Sequence, residues 1–213
     1  MVTAPPPYRK AGTPERDRGQ AHTLEGVVAG LVVLSAVVFA LELTAVTPLS
    51  ASTSSQHIEN QQEATARGIL GAAAENGSLK RTLLYWNSSS GRFWNSTDLT
   101  ENDYYETDPP PTEFGRMLNR SFDRDGIAYN VYLRFDTPGG TFDVQRLVYQ
   151  GRPSDNAVSA SRPVALSRND KLHDHEENPT DRNVSNASTF YAEETGDSSV
   201  YSVVRVEVVV WRI

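Results

Sequence analysis

A single long run of apolar residues near the N-terminus is the strongest hydrophobic feature of the chain. Residues Val27 to Leu41 carry no charge, and Glu25 and Glu42 stand on either side of them. As a helix this run covers roughly 22 Å, whereas the stretch from Leu24 to Val46 covers about 35 Å and crosses the roughly 30 Å hydrocarbon core of a bilayer. The pattern therefore predicts a hydrophobic transmembrane or assembly helix over residues 20–47, with both glutamates near the membrane interfaces.

From Pro48 onward the apolar run gives way to a helical period. Small and apolar residues recur on one face until an Asn-Gly pair stops the pattern at residue 77. This indicates an amphipathic stem helix over residues 48–77 that is kinked or interrupted at Pro48. Gly68 and Gly71 weaken an exposed helix, so we expect them to allow close approach to a sheet. The apolar face consists of Ile58, Ala66, Ile69, Leu70, Ala73 and Ala74.

The remainder of the chain alternates apolar and polar residues in several places, which is the pattern of half-buried strands. A Pro-Gly-Gly turn joins two of these strands into a hairpin. The C-terminal strand is long and rich in valine, so we expect it to be central, whereas Pro163 cannot donate a ladder hydrogen bond and places its strand at an edge. A short helix is predicted over residues 113–122. The predicted strands are 80–86, 127–136, 142–150, 157–167 and 200–213.

Two polar segments, residues 87–112 and 168–199, separate these elements and are expected to be long exposed loops. Within the first, Tyr104 and Tyr105 are expected to cover part of the headgroup, and the alternative is an adhesive or subunit contact. The complete pattern predicts an α+β fold, in which a long N-terminal hydrophobic and amphipathic helix precedes an antiparallel β-sheet headgroup over residues 78–213. The sequence contains no internal repeat and no βαβ alternation.

Composition narrows the function further. The 213 residues carry a formal net charge of -7, with three lysines against seventeen arginines. This balance argues against nucleic acid as a partner, because phosphates require a basic face. An acidic, lysine-poor surface is typical of proteins from halophilic organisms, whose hydrated carboxylates maintain solubility in concentrated salt. The alternative is a GC-rich genome, which produces the same bias of arginine over lysine. The absence of cysteine excludes a disulfide framework, a thiolate metal site and a cysteine nucleophile.

The sequence offers little catalytic chemistry. It contains no nucleophile-elbow, phosphate-binding glycine loop or zinc-protease motif. The weak candidates for a metal site are His173, His175 and Glu176, within the segment HDHEE, and the alternative interpretation is a solvated acidic loop. We therefore predict a protein that is not an enzyme, has no cofactor and binds no small-molecule substrate.

The charge around the apolar run predicts an orientation in the membrane. Basic residues precede the run, and the next basic residue after it is Arg67, so the N-terminus is expected in the cytoplasm and the headgroup outside the cell. Six Asn-x-Ser/Thr sequons support export, since such sites are glycosylated on exposed surfaces of exported proteins. The glycosylation candidates are Asn76, Asn87, Asn95, Asn119, Asn183 and Asn186.

A basic residue followed by glycine, Arg18-Gly19, stands directly before Gln20 and the apolar run. This arrangement resembles the class III signal peptide of archaeal type IV pilins, above all those of haloarchaea. The resemblance implies that a prepilin peptidase removes a cytoplasmic leader, residues 1–19, and leaves the apolar helix on the mature protein. Glu25 would then be the sixth residue of the mature chain, close to the glutamate that many type IV pilins carry.

The resemblance also implies a function and a set of partners. The expected function is an exported pilin-like structural subunit, either a pilin, a minor pilin or a pseudopilin, of an archaeal surface filament or secretion assembly. Its partners would be the membrane, the prepilin peptidase, and other pilin-like subunits or copies of itself. Glu25 would pair with the new α-amino group at Gln20 of an adjacent subunit. The alternative is a signal-anchored bitopic surface glycoprotein that binds a partner through its loops and forms no filament.

Overall fold

The computed structural model describes residues 3–4, 15–96, 104–122, 126–195 and 199–213, with only the backbone described over residues 15–21 and 43–55. The chain divides into two compact units, Met1–Ser55 and Gln56–Ile213, which are described separately here. Together they form a mixed fold, an N-terminal apolar helix followed by antiparallel sheets, as the sequence predicts.

Twelve elements follow one another along the part of the chain that the structure describes. The helices are α1 (Glu15–Glu75), α2 (Ser78–Leu83) and α3 (Glu113–Phe122), and a single 3₁₀ turn covers Val184–Asn186. The strands are β1 (Trp86–Asn87), β2 (Arg92–Phe93), β3 (Ile127–Asp136), β4 (Phe142–Tyr149), β5 (Val158–Ser167), β6 (Lys171–His173), β7 (Pro179–Asn183) and β8 (Val200–Arg212).

Helix α1 is assigned as one continuous element of 61 residues. It passes Pro48, so the helix is not interrupted at this residue, while the alternative expectation of a kink there stays a prediction. A proline inside a helix removes one backbone hydrogen bond, and the remaining bonds on both sides still define the helix. The C-terminal stop is confirmed, because Gly77 takes a left-handed conformation with φ 73°. The Asn76 side chain accepts a 2.8 Å hydrogen bond from the backbone N–H of Ser78 and so starts α2.

The last twenty residues of α1 contribute directly to the headgroup core. Ala66, Ile69, Leu70 and Ala73 are buried in the same apolar cluster as the sheet valines, which confirms the predicted face at these four positions. The expectation for Gly68 and Gly71 is wrong. A Cβ atom at either residue would meet nothing within 4 Å, so no sheet approaches the helix there.

The main sheet is antiparallel, with strand order β4-β3-β8-β5. Strand β8 is central and pairs with β3 on one side and β5 on the other, for example through Val206 opposite Leu133 and Val208 opposite Ala160. Alternate β8 residues from Ser202 to Val210 are buried, as the two-residue period predicts. Pro163 lies in the edge strand β5, and the β3–β4 hairpin closes over residues 137–141. These four predictions are confirmed.

Residues 80–86 were expected to form a strand, but most of them belong to helix α2. Leu79, Thr82 and Leu83 are buried at helical spacing, and only Trp86 reaches a strand. The left-handed Gly77 turns the chain immediately after α1, so a new helical turn can begin beside α3. The hydroxyls of Thr82 and Thr112 meet there at 2.7 Å. This contact joins residues thirty positions apart, which local propensity does not encode.

The segment 168–199 is not the structureless loop that its polar composition suggested. It forms the β6–β7 hairpin and the 3₁₀ turn, and it buries Leu172, Val184 and Ala192. Tyr191 packs among several aromatic rings, including those of Trp86 and Phe93 at 5.5 and 5.3 Å between centroids. A few well-spaced apolar anchors are therefore enough to order a segment that is otherwise polar.

The described part of segment 87–112 is also ordered. Phe93 is fully buried in β2, and Tyr105 forms a parallel bridge to Val148. The backbone N–H of Tyr105 donates to Leu147, while its carbonyl accepts from Tyr149. Tyr105 thus covers part of the headgroup, as expected, and its burial raises the pKa of its phenol. Residues 97–103 lie outside the described part of the chain.

Candidate assembly helix and headgroup surfaces

The apolar part of α1 is fully exposed within its own unit. The stretch His22–Glu42 is long and apolar enough to cross a membrane, and none of it is buried. It is the one such stretch among the described residues, and by length and composition it suits a single membrane span or a signal anchor. The exposed apolar side chains are Leu24, Val27, Val28, Leu31, Val32, Val33, Leu34, Val37, Val38, Phe39 and Leu41.

The exposure of these side chains has a large energetic consequence. Each of them is at least half exposed, and removing a Val, Leu or Phe side chain from water is worth about 1.5–3 kcal/mol. Monomeric soluble proteins rarely expose a contiguous apolar surface of this size. By length and composition the helix therefore suits the apolar interior of a membrane.

The charged residues at the start of this helix are solvated. The Nδ1 atom of His22 lies 3.6 Å from a carboxylate oxygen of Glu25, one helical turn away, and both side chains are about four-fifths exposed, at 81% and 79%. The predicted processing residues lie within helix α1, where the structure describes only the backbone. These residues are Arg18, Gly19 and Gln20. Cleavage before Gln20 and pairing by Glu25 stay predictions.

In the headgroup, the outer face of the sheet exposes an apolar patch that the sequence analysis missed. Phe142 is 69% exposed, Val203 is 48% exposed and Val144 is 37% exposed. Together with Pro163 and Arg205, Phe142 and Val203 line a shallow cleft of about 330 Å³. Valines occupy both faces of β8, so the alternation pattern assigned the buried face correctly but gave no indication of this second surface.

Comparison with protein families places the chain in a defined group. A family described as a family of unknown function, DUF7288, matches residues 18–210. The chain belongs to the DUF7288 family. The matched region begins at Arg18 and includes the whole apolar helix as well as almost the entire headgroup. No curated protein matches the chain, and no solved structure does.

Three of the sequons in this DUF7288 protein come together in space, although they are about one hundred residues apart in sequence. Asn87 precedes Ser88, whose carbonyl accepts hydrogen bonds of 2.7 Å from the hydroxyls of Ser188 and Thr189. The Ser88 hydroxyl accepts a 3.1 Å bond from Arg182. These contacts bring Asn87 beside the 3₁₀ turn, where Asn183 and Asn186 cap each other's backbone.

The other sequons lie on separate elements. Asn76 is exposed at the end of α1, but Ser78 of its sequon is 1% exposed. Asn95 is exposed in a left-handed conformation with φ 59°, and its side-chain amide donates a 3.3 Å hydrogen bond to the Tyr85 hydroxyl. Asn119 is half-buried on α3. None of the six sequons lies on a strand of the main sheet.

The histidine and acidic cluster forms the turn of the β6–β7 hairpin. The Asp174 carboxylate accepts backbone N–H bonds of 2.9 Å from Glu176 and Asn178, and these bonds lower its pKa. His175 is exposed, with its Nε2 atom 3.8 Å from a Glu176 oxygen. Among the residues that the structure describes, no group of three or more His, Cys, Asp or Glu could hold a metal ion.

His173 lies deeper than its neighbours in this turn. Its backbone N–H donates a 2.8 Å bond to the Leu84 carbonyl, while its buried Nδ1 atom has no hydrogen-bond partner among the described residues. Burial lowers the pKa of His173, and the nearby Arg81 guanidinium lowers this pKa further. Both effects favour the neutral imidazole. Separately, the main-chain hydrogen bond to Leu84 joins the hairpin to the residue that ends α2.

Proposed function

We propose that this DUF7288 protein is an exported, type IV pilin-like structural subunit of an archaeal surface filament or secretion assembly. The observation that carries the proposal is the continuity of α1. One helix begins with an exposed, membrane-length apolar segment and ends as part of the core of an antiparallel headgroup. A subunit that moves from lipid into a helical bundle requires this combination.

In the proposed mechanism, the membrane holds the apolar helix until assembly replaces lipid with neighbouring helices. The N-terminus is cytoplasmic and the headgroup is outside the cell. A prepilin peptidase cuts between Gly19 and Gln20 and creates a new α-amino group. The carboxylate of Glu25 pairs with this group on an adjacent subunit, which offsets the cost of placing a charge among apolar helices and sets their register.

The rival function is a signal-anchored bitopic surface glycoprotein. The exposed apolar helix favours it equally, because a permanent span of 21 residues needs no further partner. The two functions differ in one covalent bond, since only the pilin-like subunit loses residues 1–19. In both cases glycans on the exposed sequons would lie outside the cell.

The deciding experiment is mass spectrometry of the mature N-terminus in membrane and sheared-surface fractions of the native host. A start at Gln20 supports the pilin-like function, whereas a start at or near Met1 overturns it in favour of the anchored glycoprotein. A second test compares Glu25→Ala with Glu42→Ala as a matched control. Both variants should insert into the membrane, but only Glu25→Ala should reduce incorporation into filaments, and normal incorporation would refute the pairing.

A further inference from the structure

The outer face of the main sheet is open at one end and covered at the other. The covered end is held by Asn130, whose side chain donates a 2.8 Å bond to the Gly151 carbonyl and accepts one from the Gln150 N–H. The open end lies beside the β3–β4 turn. Phe142, Val144 and Val203 are exposed there, and the other elements of the headgroup pack on the opposite face of the sheet.

Two charged residues at this open end, Arg205 and Asp136, have no ion-pair partner among the residues that the structure describes. Arg134 and Arg205 stand opposite each other on β3 and β8, and Glu207 binds Arg134 at 2.7 Å. Arg205 forms no ion pair with the described residues, and neither does Asp136 at the end of β3. One unpaired cation and one unpaired carboxylate therefore border the same apolar patch.

We propose that this open end is a contact surface for a second copy of the same chain, related by a two-fold axis. In such an isologous contact the same patch faces itself, so Arg205 of one copy meets Asp136 of the other, and the pair occurs twice. Phe142 and Val203 of the two copies would pack between these ion pairs. An acidic partner of another kind would satisfy Arg205 but would leave Asp136 facing a carboxylate.

The positions of the sequons agree with this choice of partner. None lies on the four strands of the main sheet, so glycans would leave the outer face accessible. A contact between this face and the acidic β6–β7 hairpin of another copy would also pair arginines with carboxylates. However, that contact would bring Asn183 and Asn186 into the interface. The two-fold contact keeps every sequon outside it.

The size of the patch determines where the contact forms. The open end covers about five residues along each of the four strands. With 3.3 Å per residue along a strand and 4.8 Å between strands, its area is roughly 300 Å² per copy. The total of about 600 Å² is below the roughly 1,200 Å² of a standard stable interface. The contact therefore requires the high effective concentration that copies confined to one membrane provide. This step rests on the membrane location proposed above, but not on cleavage of the leader.

The absence of cysteine allows a clean test with the full-length chain in native membranes. A Val203→Cys variant treated with a short bis-maleimide should form a covalent dimer. The matched control Ser90→Cys, exposed in the β1–β2 turn outside the main sheet and outside every sequon, should not. In the Val203→Cys background, Arg205→Asp and Asp136→Arg should each abolish the dimer. The double reversal should restore it, because the ion pair re-forms with its signs exchanged.

Equal cross-linking at positions 203 and 90 would mean random collision and would overturn the proposal. Loss of the dimer without rescue in the double reversal, while thermal unfolding shows an intact headgroup, would overturn it as well. The proposed pilin-like function fails separately. A mature chain that starts at Met1 removes filament assembly but leaves the expected cross-link unchanged.

Discussion

Leu70 offers the most direct test of whether the stem belongs to the headgroup core. Its side chain is 1% exposed, in one cluster with the valines of β8. Replacing a fully buried leucine by alanine costs about 2–5 kcal/mol, which combines the lost transfer energy with the cavity left behind. For a unit of about 150 residues, 1 kcal/mol corresponds to roughly 2–4 °C in Tm, so Leu70→Ala should lower the Tm of the headgroup by about 5–15 °C.

Tryptophan fluorescence is a specific assay for this effect, because all three tryptophans, Trp86, Trp94 and Trp211, belong to the headgroup. Thermal unfolding of the full-length chain in detergent would be followed for the wild type, Leu70→Ala and Leu34→Ala. Leu34 undergoes the same chemical change but is 65% exposed in the apolar helix, so its variant should melt like the wild type. Equal Tm values for Leu70→Ala and Leu34→Ala would refute the inclusion of the stem in the core.

Three further predictions concern single contacts in the headgroup. Gly115→Ala should destabilise the headgroup by about 1–3 kcal/mol, because the new Cβ would clash with the Pro110 carbonyl oxygen. Gly71→Ala should instead stabilise it by up to about 1 kcal/mol. Urea unfolding measures both effects, and a loss of stability in Gly71→Ala would contradict the open space around that residue. Thr82→Val should lower the free energy of unfolding by about 1–3 kcal/mol, because it removes the buried hydrogen-bond partner of Thr112, while Thr82→Ser should retain most of the stability. Equal losses in the two variants would show that the methyl group matters more than the hydroxyl. Burial holds the pKa of His173 below its usual value, so the stability that the neutral imidazole contributes is present above about pH 6.5 and is lost as the pH falls further. The free energy of unfolding at pH 7.5 and 5.5 should show this loss in the wild type but not in His173→Gln. An equal loss in both proteins would refute the role of His173.

The helix and sheet patterns could be predicted because they depend on local composition. Ten exposed apolar side chains between Val27 and Leu41, a run without charge, identify a membrane-length helix without reference to any other part of the chain. The two-residue alternation of β3 and β8 likewise fixes which residues face the core, because a strand directs successive side chains to opposite faces. Pro163 predicted an edge strand from a local property as well, because proline lacks the backbone N–H that a central strand must donate.

Tertiary contacts decided the features that the sequence predicted incorrectly or not at all. Residues 80–83 are helical because Gly77 redirects the chain and Thr82 finds Thr112 thirty residues away. The polar segment 168–199 is ordered by a few apolar anchors that meet Trp86 and Phe93. The meeting of Asn87 with Asn183 and Asn186, and the unpaired charges of Arg205 and Asp136, also depend on strand pairing and layer packing. Such juxtapositions join distant residues, so the sequence determined which side chains the protein has, whereas the fold decided which of them lie together.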